Sequence, residues 1–256
     1  MEQRILGRLR EIEKRESVRI LLAVESGSRA WGFSSPDSDY DVRFLYVRPE
    51  TEYLRLDAPR DVIELPIDDA LDVSGWDIRK ALRLLYGSNP TLFEWFASPI
   101  VYRETAFSDR LRAVMNLYFS PKKSLFHYIS MAEHNCRSYL EGELVPVKKY
   151  FYVLRPVLAC RWILEKGTPP PMLFSELIEA ELPEMLSGEV RTLLERKRNT
   201  PEIQRIPRVE RLNAYLDTSI AEVKAAVRSL EDGRNPGWNE LNRQLLQAIR
   251  EAGPTE

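Results

Sequence analysis

Two aspartates, Asp39 and Asp41, stand at the head of a run, residues 40–47, that is rich in β-branched and aromatic side chains. Such a run predicts a strand, and side chains two apart on a strand share a face. The pair would therefore present two carboxylates side by side. Like charges so close are costly unless a cation neutralises them. Oxygen-only donors suit Mg²⁺, which binds through one or two carboxylates together with substrate phosphates. Upstream, an apolar run of strand length at 18–24 leads into Gly27-Ser28. Glycine lets backbone approach a phosphate closely, and the serine hydroxyl and nearby N–H groups can donate to it. The chemistry these residues suit is the handling of a metal-bound phosphate.

A Gly-Ser turn, a spacer and then Asp-x-Asp on the next strand resembles the nucleotidyltransferase superfamily with the DNA polymerase β-like fold. Gly27, Ser28, Asp39 and Asp41 match its signature. Two further blocks, DVSGWDIRKALRLLYGSNPTLFEWFASPIVY at 72–102 and KKYFYVLRPVLACRW at 148–162, are similar to one branch, the bacterial and phage predicted nucleotidyltransferases also called RNA-ligase-associated proteins. The resemblance implies a third carboxylate on a later strand. Asp72 follows a short apolar-flanked run and precedes a helix expected near Trp76, which makes it the choice. Glu64, in a second strand-like run, is its rival. Asp68 and Asp69 fit a turn, and Asp77 fits the first turn of a helix.

What the resemblance implies chemically is transfer of a nucleoside monophosphate from a nucleoside triphosphate to a hydroxyl. Asp39, Asp41 and Asp72 would hold Mg²⁺ (or Mn²⁺) ions that stabilise attacking and leaving oxygens. Asp72 would also be placed to act as general base. Cations should face the triphosphate. Arg29 follows Ser28 directly, and Lys80 lies eight residues after Asp72. Lys149, Tyr152 and Arg155 are spaced three and three, so they share a helix face that would close over the nucleotide. Lys148 is the alternative if the helix phase differs by one. As ordinary solvated cations all of these would have no role.

The elements that must position these groups fall into two parts, giving an α+β expectation. A polymerase β-like catalytic domain, a short mixed sheet flanked by helices, should occupy 1–115, and an all-helical domain 116–256. A helix over 1–16 carries Ile5, Leu9 and Ile12 on one face. Strands are expected at 18–25, 40–48 and 60–73, then a helix over 76–86 stopped by Gly87. Asn89-Pro90 and Ser120-Pro121 are cap pairs opening further helices. A helix over 146–166 should kink or break at Pro156. Further breaks are expected at 199–201 and 235–236.

Composition narrows the function classes. The chain has 256 residues, 44% hydrophobic and 30% charged, and a net charge of −2. That is ample for real cores, and it makes any nucleic-acid-binding surface local rather than global. No apolar stretch approaches the ~20 residues that span a membrane, and no secretory leader is evident. Two cysteines, Cys136 and Cys160, form no disulfide framework and read as small buried hydrophobes of a cytoplasmic protein. His127 and His134 are seven apart and make a poor chelate. Trp76, Trp95 and Trp162 read as core. Residues 191–211 hold seven basic side chains against three acids, a stretch that suits either RNA contact or an ordinary amphipathic surface. Beside the enzyme, two other readings compete. One is a non-catalytic nucleotide-binding or antitoxin-like module, against which the chain's own helical part and full acid set weigh. The other is an inactive scaffold beside an RNA ligase. The acceptor, whether RNA, a protein or a small molecule, is left open.

Overall fold

The first helix, α1 (Glu2–Glu16), buries Ile5, Leu9 and Ile12, the stripe its periodicity predicts, and stops where Ser17 turns left-handed at φ 50°. The computed structural model describes residues 1–68, 70–199, 204–232, 234 and 236–253. The turn expected at Asp69 falls outside them, as do parts of the breaks expected at 199–201 and 235–236. After α1 come β1 (Arg19–Glu25), a single turn α2 (Gly27–Ala30), β2 (Tyr40–Val47), a second single turn α3 (Glu50–Tyr53), β3 (Val62–Glu64) and β4 (Leu71–Asp77). Then follow α4 (Ile78–Tyr86), α5 (Pro90–Phe96), β5 (Val101–Glu104) and α6 (Ala106–Met115). The five strands form one sheet in the order β3-β4-β2-β1-β5. It is mixed, because β2 and β4 run parallel while the other neighbours are antiparallel.

Beyond it the described chain is helical: α7 (Pro121–Tyr139), α8 (Val147–Lys166), α9 (Phe174–Glu181), α10 (Ser187–Asn199), α11 (Glu210–Ser229) and α12 (Asn239–Ala252). A small ribbon of β6 (Leu144–Pro146) and β7 (Arg205–Pro207) interrupts it. The cap pairs act as their chemistry requires. Asn89 accepts from the Thr91 N–H at 2.9 Å, and the Ser120 hydroxyl accepts from the Lys123 N–H at 3.1 Å.

Three expectations are corrected. The single strand over 60–73 is two strands, β3 and β4. The helix expected from Trp76 begins at Ile78, because β4 runs on to Asp77, whose side chain caps α4 by accepting from the Arg79 N–H at 2.8 Å. Finally, α8 continues through Pro156. Proline lacks an N–H and strands the carbonyl four residues before it. That carbonyl, on Tyr152, accepts instead from the Asn135 amide of α7 at 3.4 Å.

Apolar side chains pack on both faces of the sheet. One face carries Val42, Phe44, Tyr46 and Val73 under α1. The other carries Leu45 and Val47 within a larger core that runs unbroken through α4–α8 to Ala248 of α12. That core crosses position 115, and α12 returns to pack on α4 and α6. Asp41 and Asp72 alternate with Val42 and Val73, so they lie on the face turned toward the helical part.

Candidate active site

Parallel strands start at the same end of a sheet, which brings their first residues together. Here Tyr40 pairs with Leu71 and Asp41 with Asp72. Asp72 is thus the strand neighbour of Asp41. The rival Glu64 lies on β3, beyond β4, where it is exposed and paired with Arg60 at 2.8 Å. Asp39 immediately precedes β2, with an exposed side chain.

A residue that sequence reasoning missed joins the two acids. Arg43 Nη2 donates to Asp41 Oδ1 at 3.0 Å and to Asp72 Oδ2 at 2.7 Å. Its Nη1 donates to the carbonyls of Val42 and Asp72. The signal was present, since Arg43 is two residues beyond Asp41 on the same strand and so on the same face. Two carboxylate oxygens that converge on one cationic nitrogen define a cation position, and hard oxygen donors fit Mg²⁺ or Mn²⁺. Among the described residues, no group of three or more His, Cys, Asp or Glu comes together as a ready metal cage. Asp41 and Asp72 converge there, while the expected third donor, Asp39, lies just before β2 with its side chain exposed.

The turn is built against Asp41. Gly27 has φ +60°, and a Cβ there would lie 2.0 Å from Asp41 Oδ2. Only glycine lets this carboxylate lie under the turn. Behind it stands a second missed residue, Glu25. It is fully buried, accepts from the Asp41 N–H at 2.8 Å, and accepts from the Tyr102 hydroxyl. Burial pushes the Glu25 carboxyl up from its ordinary value, against the lowering effect of the Tyr102 and Asp41 hydrogen bonds. Ser28 is buried at the head of α2.

The expected cations divide. Arg29 sits at the site but braces it. Its Nε donates to the Asp39 carbonyl at 3.0 Å, Nη2 donates to the Ser38 carbonyl at 2.7 Å, and the guanidinium lies 3.7 Å from the Tyr40 ring centroid. Lys149 and Tyr152 do share a face, and that face meets the turn. Tyr152 lies edge-on to Trp31 at 6.0 Å, and the Lys149 ammonium rests 3.7 Å from the Tyr139 ring and 4.9 Å from Tyr152.

Two of the expected phosphate contacts are elsewhere. Arg155 is 3% exposed, paired with Glu94 at 2.8 Å, and lies under the Trp31 ring. It supports the turn from below rather than facing a nucleotide. Lys80 is at the far end of the sheet. Asp72 opens β4 rather than closing it, so five residues at about 3.3 Å each carry the chain roughly 16 Å away before α4 begins. There Lys80 binds Asp61 at 3.2 Å.

The basic stretch 191–211 has a structural task. Lys197, 2% exposed, donates to the Ser35 hydroxyl at 2.8 Å and contacts that of Ser38 at 3.5 Å. Arg198 donates to the Gly32 carbonyl at 3.0 Å. The end of α10 therefore clamps the loop that runs from Gly27-Ser28 to Asp39. Further along, Arg208 and Arg211 pair with Glu210 and Glu189. His127 is half-buried, and burial lowers its pKa against the opposing pull of Glu94. Cys136 and Cys160 are free, and burial raises both thiols. Among the described residues, no helix is long and apolar enough to cross a membrane.

Sheet, turn and acids together define a polymerase β-like nucleotidyltransferase fold. The sequence matches the RNA repair pathway DNA polymerase beta family, RlaP, over residues 1–247, and the chain belongs to that family. It is 47% identical over 253 residues to the uncharacterized protein YcgL of Bacillus subtilis (strain 168), covering 98% of this chain and 97% of that one. A nucleotidyltransferase-like protein from Exiguobacterium sibiricum 255-15 shares 13% identity, with a TM-score of 0.32, over 98% of this chain and 81% of its own. Family membership rests on the sequence match.

Proposed function

We propose that this chain transfers a nucleoside monophosphate from a nucleoside triphosphate to a hydroxyl, with an RNA terminus as the acceptor that the family description favours. The observation that carries the reading is the convergence of Asp41 and Asp72 on one cationic nitrogen beneath the Gly27 turn. A divalent ion, Mg²⁺ or Mn²⁺, held by Asp41 and Asp72 with Asp39 beside them, would offset phosphate charge and stabilise attacking and leaving oxygens. The protein's own groups do the rest. Gly27 and Ser28 present backbone and hydroxyl donors to the phosphates. Asp72 accepts the proton of the attacking hydroxyl. Arg43, which touches both acids, and Lys149, beside Tyr152, supply positive charge, and such preorganised charge carries most of the rate enhancement in phosphoryl transfer. Glu25 and Lys197 hold Asp41 and the Asp39 loop in place.

The test is incubation with each α-labelled nucleoside triphosphate, Mg²⁺ or Mn²⁺, and an RNA carrying free terminal hydroxyls, followed by intact-mass analysis of RNA and protein. The expected result is a mass gain of one nucleotide on the RNA, abolished by Asp41→Asn. A gain on the protein itself would redirect the acceptor. No transfer with any triphosphate and either ion would sink the proposal.

A further inference from the structure

Two adjoining cavities open at the end of the sheet opposite the acids. One, of about 290 Å³, is lined by Arg79, Leu82, Arg83, Trp238 and neighbours from α12. The other, of about 260 Å³, is lined by Arg60, Asp61, Asp77, Arg79, Lys80 and Arg83. Arg79 and Arg83, one helical turn apart on α4, belong to both. Their positive charge is only partly offset: four cations, Arg60, Arg79, Lys80 and Arg83, line the second cavity against two acids, Asp77, which is buried beside Arg79, and Asp61, which holds Lys80. Arg60 pairs with Glu64 in full solvent, where such pairs contribute little. Arg79 rests on the Tyr53 ring at 4.8 Å. Arg83 is exposed and has no ion-pair partner among the described residues. Trp238 completes the first cavity. It stacks on Tyr86 at 3.7 Å with 12° between the planes, which fixes the indole, yet it stays 44% exposed.

In a chain of net charge −2 this concentration of cations is local. The basic stretch of α10 is tied to the Asp39 loop and does not compete for the same task. Cations along a groove beside a fixed, solvent-facing aromatic ring match the needs of an unpaired polynucleotide, whose phosphates take the charge and whose bases stack. Paired bases could not reach the indole. We infer that Arg79, Arg83, Lys80 and Trp238 form a second site that binds a single-stranded RNA segment, roughly 16 Å or more from the catalytic acids. Two cavities sharing two arginines suit successive phosphates of one strand better than a lone mononucleotide.

The inference does not rest on the transfer reaction, and its test uses neither triphosphate nor divalent metal. A 5′-labelled 15-nucleotide unstructured RNA is titrated with the full chain by fluorescence anisotropy between 50 and 300 mM KCl. Arg83→Glu should weaken binding about tenfold or more and flatten the slope of log K against log salt by about 0.7 for each phosphate no longer neutralised. Trp238→Ala should weaken it by about 5- to 150-fold with the slope unchanged, since stacking releases no counterions. Trp238→Phe should recover most of that loss and guards against a packing defect. Asp41→Asn should bind as the wild type, so failure of transfer and failure of strand binding are told apart. The inference is overturned if the wild type binds no RNA, or if Arg83→Glu and Trp238→Ala both bind normally. It is also overturned if ATP competes fully at equal concentration, which would make this a mononucleotide site, or if Arg196→Glu alone abolishes binding.

Discussion

Replacing Arg43 by glutamine removes the cation that Asp41 and Asp72 share. Both carboxylate oxygens touch one nitrogen, at 3.0 and 2.7 Å. They therefore lie no more than about 6 Å apart, where two unit charges repel by roughly 0.7 kcal/mol at the dielectric of water and about 2.8 kcal/mol at an effective value of 20. Both carboxylates are about one-third exposed, which puts the cost between these limits, on the order of 1–2 kcal/mol. For a chain of this size that lowers Tm by about 2–4 °C. A divalent ion takes over the lost cation's task. Mn²⁺ should therefore raise the Tm of Arg43→Gln more than that of the wild type, in which the ion competes with the guanidinium. Stabilisation by a ligand reaches about 2.7 kcal/mol at a hundred times its Kd, well within reach of a thermal-shift titration. Asp41→Asn/Arg43→Gln, with one repelling charge gone, separates repulsion from the lost carbonyl bonds and should recover most of the metal-free Tm. Equal Mn²⁺-induced shifts in wild type and Arg43→Gln would refute the reasoning, since the acids would then not meet at a cation position.

Other changes test the supports around the site. Arg155→Ala leaves Glu94, its side chain 13% exposed beside the Tyr128 hydroxyl, without its buried countercharge, and should cost about 3 kcal/mol in urea unfolding at neutral pH; a cost under about 1 kcal/mol would mean the pair is effectively solvated. Asp77 has a pKa raised from its ordinary 3.8, chiefly by burial. Its contribution is therefore present below that value and lost as pH rises through the folded pKa. Wild type should lose stability relative to Asp77→Asn as pH climbs from about 3.8, then run parallel to it, and a relative gain would show the hydrogen bonds outweighing burial. Lys197→Met keeps the volume but releases Ser35 and Ser38, so deuterium uptake over 33–39 should rise with little change in the global unfolding midpoint. Unchanged uptake would remove α10 from the control of this loop.

What the sequence made legible was local. The Ile5–Leu9–Ile12 stripe and the Asn89-Pro90 and Ser120-Pro121 caps each depend on neighbours within a turn or two, and each is where its chemistry requires; of the aspartate pair, Asp41 is on β2 and Asp39 just before it. What failed depended on distant partners. Asp77 serves as strand end and helix cap at once, so the switch from β4 to α4 leaves no gap to read. Mistaking the head of β4 for its tail then carried Lys80 to the wrong end of the sheet. The shared face of Lys149, Tyr152 and Arg155 was correct as periodicity, but periodicity does not say that Glu94, 61 residues earlier, waits for the arginine. Arg43 was within reach by the same alternation that paired the aspartates. Lys197 was not, because nothing local marks a lysine that will be buried.

The clamp of α10 on the Asp39 loop also sets a clock. Lys197 follows Ser35 by 162 residues. Ribosomes add about 5–20 residues per second, so roughly 8–32 seconds separate the synthesis of the loop from that of its fastener. During that interval the emerging chain already carries the turn, both strands and all three acids, but not the lysine that holds Asp39's approach. A polypeptide still attached to the ribosome, surrounded by triphosphates and by RNA, thus lacks a finished site until more than three-quarters of it has been made.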